Sequence, residues 1–167
     1  MKISDILLLY DYNYWANQLM LTKAAAVSWE QLTQLTDYSW GSLLRALIHT
    51  MDAEYSWRNL LQHQRLTFDL IETMTFPTLD SLDKYWKNEE REMRAYLNSL
   101  QDGDMESTIR YEIPEGVRER VLWHCLVHVV NHGTQHRSEC AAMLTNFGQS
   151  PGDIDLTRYL NIRAGIE

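Results

Sequence analysis

Glycine and proline are scarce in this chain, with seven and three copies among 167 residues. These two residues most often interrupt regular structure, so the long stretches between them favour helices and an all-α fold. Hydrophobic residues make up 45% of the sequence, with six tryptophans and nine tyrosines, which argues against a disordered chain. The length suits one domain with a sizeable core, and we predict a single domain over residues 1–167.

The chain also lacks a cluster of lysine and arginine, and its net charge is -8. A protein that mainly grips the DNA backbone normally carries a basic face, so we expect no nucleic-acid partner. The same acidity disfavours binding to acidic membranes. No apolar run reaches the ~18 residues needed to span a bilayer, so no membrane partner is expected either.

Cysteine is the third scarce residue, with two copies. Cys125 and Cys140 lie about 22 Å apart along one predicted helix, so they cannot pair with each other. Both are interpreted as small buried hydrophobic residues. The N-terminus lacks the apolar core and the cleavage site of a signal peptide. A reducing, cytoplasmic location is therefore expected.

Periodic apolar positions predict four long helices. Their expected bounds are about Ser4–Ala26, Gly41–Leu61, Thr78–Leu100 and Arg118–Phe147, with Ser4 or Asp5, Ser39, and Thr78 or Asp80 as caps of the first three. Residues 27–38 are predicted to hold a short helix or a loop, and residues 62–77 a mixed connection. A charged face at residues 89–94 is interpreted as solvated.

In the segment before the fourth helix, residues 107–113 alternate in hydrophobicity, a turn follows at Pro114-Glu115-Gly116, and residues 117–121 come after it. This pattern predicts either a small hairpin or a plain extended crossover. A final short helix is expected after a cap at Asp153 or Asp155. The predicted fold is an all-α four-helix bundle with one long crossover and a short C-terminal helix.

Four of the six histidines recur at every fourth position of the last long helix, namely His124, His128, His132 and His136. Steps of four keep side chains within about 40° of each other, and adjacent rings are about 6 Å apart along the axis. Two imidazoles can close that span onto one metal ion. His128 and His136 are about 80° and 12 Å apart and cannot share one. Only one adjacent pair can therefore serve a single ion.

Local polarity selects the pair. The chain is apolar around His124 and His128, but small and polar around His132 and His136, as a substrate-accessible metal requires. We therefore predict His132 and His136 as ligands. His128 is interpreted as a supporting or structural residue, and His124 as a surface or packing residue. Cys140 continues the spacing and is kept as a weak candidate next to the site.

A catalytic site of the zinc type uses three protein ligands and one open position. His49, beside the apolar stripe of the second helix, would supply the third ligand from a facing helix. If the site were instead closed by a fourth protein ligand, Asp52 or Glu54 would provide it. An all-histidine set suits Zn, Ni, Co, Cu or Fe. The alternative is a hydrogen-bonded polar seam without metal, and no catalytic or cofactor-binding residue is identified.

At these residues the chain resembles the DinB-like (DinB/YfiT) family of damage-inducible proteins. The likeness covers essentially the whole sequence and includes YNYWANQ, LIHTMDAEYSWRNL, HVVNHGTQHRSE and LTNFGQSPGDIDLTRYL. It implies a homodimer whose four-helix bundle holds a divalent metal, Zn or Ni first, on His49, His132 and His136. The aromatic first helix, with the apolar stripe Ile6, Leu9, Trp15, Leu19 and Met20, is a candidate dimer surface, although core packing explains it as well.

The wider superfamily contains thiol-dependent S-transferases and an isomerase. The resemblance therefore implies an enzyme in which a metal activates a low-molecular-weight thiol cosubstrate as a Lewis acid. We predict thiol S-transfer or hydrolysis at an open metal position, and the alternative is a non-catalytic metal-binding protein of the stress response. Where the family often reads HRGQ, this chain has His136-Arg137-Ser138-Glu139, so no specific substrate is carried over.

Overall fold

The computed structural model describes residues 1–64 and 75–166 and confirms the all-α fold. The regular elements of these residues, in chain order, are α1 Ile3–Ala24, α2 Trp29–Thr33, α3 Leu43–His63, α4 Leu79–Asn98, a 3-10 turn Asp102–Asp104, β1 Thr108–Ile113, β2 Gly116–Val121, α5 Leu122–Asn146 and α6 Leu156–Ala164. Most of the connection predicted at 62–77 lies outside the described residues. None of the described helices is both long and apolar enough to cross a membrane.

The four long helices, α1, α3, α4 and α5, form the bundle. Both α1 and α3 pack against α4 and α5. The short helices lie at the periphery, where α2 packs on α3 and α6 packs on α1, while β2 contacts α5. The predicted bundle, its long connection between the third and fourth helices, and the short C-terminal helix are all found.

Polar caps determine where three of the helices begin. Ser42 before α3, Thr78 before α4 and Asp155 before α6 each accept a hydrogen bond from the backbone N–H three residues later. The prediction that Ser39 caps the second long helix was wrong. Ser39 lies in the preceding loop, and its hydroxyl donates to Glu139 Oε1 at 2.7 Å. This bond ties the loop to α5.

The segment before the last long helix is an antiparallel hairpin in which Ile113 pairs with Gly116 across the turn. The histidine helix therefore begins at Leu122 rather than near Arg118, because residues 116–121 belong to β2. The backbone N–H of Leu122 bonds to the Ser107 carbonyl, which places the start of α5 against the base of the hairpin. The first helix also differs slightly from the prediction, since it begins at Ile3.

The core divides into two apolar clusters along the bundle. One cluster takes residues 6–16 of α1 and 122–130 of α5, while the other takes residues 20–24 of α1 and 140–144 of α5. Cys125 belongs to the first cluster and Cys140 to the second, and both thiols are buried and free, as the sequence indicated. Burial raises the pKa of Cys140 to about 12, so this residue packs as an apolar side chain and not as a site residue.

Between the two clusters lies a buried polar layer that joins all four long helices. Asn13 and Asn17 of α1 donate their amide N–H groups to Glu54 Oε1 of α3 at 2.6 and 2.8 Å. Trp86 of α4 donates its indole N–H to Glu54 Oε2 at 2.8 Å. Arg137 of α5 donates to the side-chain oxygens of both asparagines. Burial raises the pKa of Glu54, whereas the three donors lower it.

A second buried pair corrects the interpretation of α4. Glu89, predicted to lie on a solvated face, is 2% exposed and accepts two hydrogen bonds from the Arg58 guanidinium of α3. Arg91 and Glu92 are exposed as predicted, whereas Arg94 is half-buried and pairs with Glu90 and with Asp11 of α1. The face is thus solvated at Arg91 and Glu92, while Glu89 faces an arginine of α3 that sequence spacing could not identify.

Replacement of Gly133 by alanine is expected to destabilise the fold by about 1–3 kcal/mol, although alanine favours helices. A Cβ at this position would lie 2.7 Å from Arg137 Nη1 and 2.9 Å from Asn13 Oδ1, atoms held by the polar layer. Urea unfolding of the metal-free protein measures the change. Gly103→Ala is the control, because its added Cβ would meet no atom within 4 Å. Equal stability of the two variants would contradict this role of Gly133.

Candidate metal centre

The structure brings together the three histidines chosen from the sequence. His49 comes from the middle of α3, and His132 and His136 come from successive turns of α5, the helix that packs against it. Their ligand nitrogens all lie within 4.8 Å of one another. In the described part of the chain, these three residues form the group that could hold a metal ion. Four-residue spacing on one helix and the facing position on the other produce this convergence.

Two of the three nitrogen pairs have the spacing that a metal requires. His132 Nε2 lies 3.2 Å from His49 Nε2 and 3.3 Å from His136 Nε2. In a tetrahedral zinc site, metal–nitrogen bonds of about 2.05 Å place neighbouring nitrogens ~3.3 Å apart. A hydrogen-bonded seam explains the geometry less well, because a neutral imidazole nitrogen either donates or accepts, and His132 Nε2 faces two others. The residues present therefore fit a bound metal ion.

Two of the three rings, those of His49 and His132, are held in the neutral form that binds metal. Burial, together with the other two imidazoles, lowers the pKa of His49 to about 3. Burial, with His136 and His128, lowers the pKa of His132 to about 4. Both rings are consequently neutral near pH 7, so a metal ion would not have to displace protons from them.

Two neighbouring side chains, those of Glu139 and Trp40, hold the rings of His136 and His49 in position. His136 Nδ1 lies 3.1 Å from Glu139 Oε2, a contact that directs the Nε2 of this ring toward the cluster. The other oxygen of Glu139 accepts the Ser39 hydroxyl. Trp40, in the same loop, stacks on His49 with ring centroids 3.7 Å apart and an interplanar angle of 19°. The loop before α3 therefore lies against one side of the cluster.

Neither carboxylate considered as a fourth ligand joins the cluster. Glu54 is 1% exposed and occupied by the polar layer. Asp52 is buried and outside the ligand group, and burial raises its pKa to about 6. The described residues thus offer three nitrogen ligands and no fourth protein ligand, an arrangement that leaves one position of a tetrahedral ion for another molecule.

The remaining histidines of the series lie outside the group. His128 is exposed, and its ring centroid lies 5.8 Å from that of His132 and 5.0 Å from that of Trp57. His124 is exposed and packs on Trp123 at 4.0 Å. These positions agree with the interpretation of His128 as a neighbour of the site and of His124 as a surface residue.

Sequence reasoning missed two groups of residues near the site. Ser39 was interpreted as a helix cap, and no role was assigned to Trp40. The buried polar layer was also missed, since nothing was predicted for Asn13 and Asn17. The four-residue spacing of these two asparagines inside an aromatic-rich helix was the available signal.

The comparisons with known proteins agree with this architecture. The sequence model described as the DinB family matches residues 1–165. The chain is also 26% identical, over 157 residues, to a protein of Bacillus subtilis (strain 168) named "Protein DinB", with 91% of each chain covered. The range matched by the family model spans α1 to α6 and therefore covers the positions of all three histidines of the cluster. This chain belongs to the DinB family.

Proposed function

We propose that His49, His132 and His136 bind one divalent transition metal and that the protein is a metal-dependent enzyme. The observation that carries this proposal is the convergence of three imidazole Nε2 atoms without a fourth protein ligand among the described residues. Structural zinc sites are normally closed by four protein ligands, whereas catalytic sites keep a position open. Zn or Ni is the proposed ion, and Co, Fe and Cu also suit imidazole ligands.

The proposed reaction is transfer to or from the sulfur of a low-molecular-weight thiol, with hydrolysis as the other reaction open to the same site. A divalent ion bound here supplies a Lewis acid that lowers the pKa of a thiol or water in the remaining position. The chain itself orients the site. Glu139 fixes the ring of His136, and Trp40 shields one face of His49 from water.

The decisive experiment combines metal identification with a search for turnover. Anomalous scattering at the metal absorption edges would locate the ion and count its ligands. The loaded protein would then be assayed with a panel of low-molecular-weight thiols and electrophiles, using the chelated protein as a blank. Turnover that chelation abolishes supports the enzyme. A fourth protein ligand on the ion, or no turnover across the panel, would favour a non-catalytic metal-binding stress-response protein.

Removal of the Glu139 side chain is expected to weaken metal binding by about tenfold or more, because His136 loses the partner that orients it. Metal affinity of Glu139→Ala, from competition with a chromogenic chelator, measures the effect. Gln135→Ala, an exposed position on the same helix, serves as the control. Unchanged affinity in Glu139→Ala would show that this carboxylate has no supporting role at the site.

The homodimer remains part of the proposal, but the aromatic residues of α1 are no longer proposed as its surface. Much of the aromatic content of α1 packs inside the protomer, since Tyr10, Tyr12 and Tyr14 are buried. Trp15 packs against Tyr159 of α6 with ring centroids 5.6 Å apart. These contacts favour core packing as the explanation of the aromatic residues. Light scattering of the purified protein tests the dimer directly.

A further inference from the structure

A cavity of about 490 Å³ opens between α3, α5 and the hairpin. The side chains that line it are Trp57, Tyr111, Arg120, His124, Cys125 and His128. This volume lies in the range of pockets that bind small molecules, which are typically apolar with a few polar groups that fix orientation. The lining matches that description, with two aromatic rings, one guanidinium and two imidazoles.

The hairpin presents its cationic side to this cavity. Tyr111 pairs with Arg118 across the strands, and Arg120 lies two residues further along β2, so all three share one face of the hairpin. By the same alternation, Glu112 and Glu119 lie on the opposite face. The face that carries Tyr111, Arg118 and Arg120 therefore holds neither of these glutamates, and Arg120 is the arginine of this face that lines the cavity.

The Arg120 guanidinium is available to a ligand. Its recorded hydrogen bond goes to the backbone carbonyl of Glu119, and it forms no ion pair with a carboxylate in residues 1–64 or 75–166. Arg120 itself lines the cavity, together with the buried Cys125. No aspartate or glutamate of the described residues lines the space.

The rest of the lining suits a flat apolar body. Trp57 lies edge-on to Tyr111 with ring centroids 6.3 Å apart, and edge-on to His128 at 5.0 Å. Burial raises the pKa of the Cys125 thiol, so this residue contributes a neutral, apolar surface. Aromatic rings and a thiol give a planar ligand extensive contact without any need for specific hydrogen bonds.

The cavity adjoins the histidine cluster through one residue. His128 lines the cavity, and its ring centroid lies 5.8 Å from that of His132. A molecule with its anionic end at Arg120 and its body on Trp57 would thus extend along α5 toward the cluster.

We propose that this cavity binds a small organic carboxylate, with Arg120 pairing with the carboxylate and Trp57 packing on its apolar body, and that it holds this molecule beside the histidine cluster as the substrate. The proposal that a carboxylate binds here depends only on the cavity and its lining. The substrate role rests on the proposed metal-dependent function.

Isothermal titration of the metal-free protein with 2-naphthoate, and with the neutral 2-naphthamide, tests the binding. Naphthoate is expected to bind saturably, and the amide about fivefold more weakly, because it lacks the charge that pairs with Arg120. Arg120→Gln should reduce naphthoate affinity by about the same factor and leave naphthamide affinity unchanged.

Arg110→Gln is the matched control, because Arg110 pairs with Glu119 on the other face of the same hairpin. It should change naphthoate affinity by less than about twofold. The proposal is overturned if naphthoate does not bind, if both probes bind equally, or if the two arginine variants lose affinity alike. Circular dichroism of each variant verifies that the fold is retained.

A separate experiment tests whether the bound carboxylate lies beside the histidine cluster. In protein loaded with Co²⁺, the ring protons of bound naphthoate should show enhanced paramagnetic relaxation that is lost in His132→Ala. Binding without enhancement would remove the substrate role and leave the carboxylate site intact. Failure to retain Co²⁺ at all would remove the proposed metal function and the substrate role together, while titration of the metal-free protein still decides the binding.

Discussion

Replacing Glu54 with alanine is expected to lower the free energy of unfolding by about 3–5 kcal/mol. The substitution removes the acceptor of two asparagine amides and one indole N–H, all buried. It also leaves the Arg137 guanidinium, 1% exposed, without the negative charge that balances it through Asn13 and Asn17. Domains of this kind are typically stable by about 5–15 kcal/mol, so the variant should approach the limit of folding.

Urea unfolding of the metal-free protein is the appropriate measurement, because a bound ion would add its own stabilisation to the folded state. Glu54→Gln should lie between the wild type and Glu54→Ala, since it keeps an acceptor but loses the charge. Lys87→Ala removes a more exposed ion pair with Asp83 and should cost only about 0.3–0.5 kcal/mol. A loss below about 1 kcal/mol in Glu54→Ala would mean that the polar layer does not stabilise the bundle.

Replacing His132 with alanine is expected to abolish stoichiometric metal binding. Its Nε2 is the central nitrogen of the cluster, 3.2 Å from His49 Nε2 and 3.3 Å from His136 Nε2. Without it, two ligands from different helices remain, and two nitrogens hold a divalent ion far more weakly than three. His49→Ala and His136→Ala should also fail to retain metal. The metal content per protomer after dialysis, from elemental analysis, measures the effect.

His128→Ala is the matched control, because it removes the next histidine of the same series without touching the ligand group. It should retain most of the metal. Full metal content in any of the three cluster variants would refute the assigned ligands. Loss of metal in His128→Ala as well would show that the site lies nearer the hairpin than proposed.

The helices and the histidine cluster were predictable from local patterns. Apolar periodicity located the four long helices, and Thr78 marked the start of α4. Four-residue spacing reduced the histidines of α5 to adjacent pairs, and the change from apolar to small polar residues selected His132 and His136. These properties are encoded within one turn or two of a single helix, so they can be read without knowledge of packing.

The errors share one cause, which is that a polar residue does not reveal its partner. Ser39 looked like a cap, but its hydroxyl bonds to Glu139, 100 residues later. Glu89 looked solvated because its neighbours are, yet it faces Arg58 from another helix. Asn13 received no prediction, and it is fully buried against Glu54 and Arg137.

The sequence by itself determined the all-α class, the number of long helices and the histidine spacing, because each depends on residues close together in the chain. Tertiary structure decided which loop covers the cluster, how four helices share one buried polar layer, and which face of the hairpin directs an arginine toward a cavity. Those features depend on pairs of residues from different helices and strands. Only the packed bundle brings such side chains into hydrogen-bonding distance.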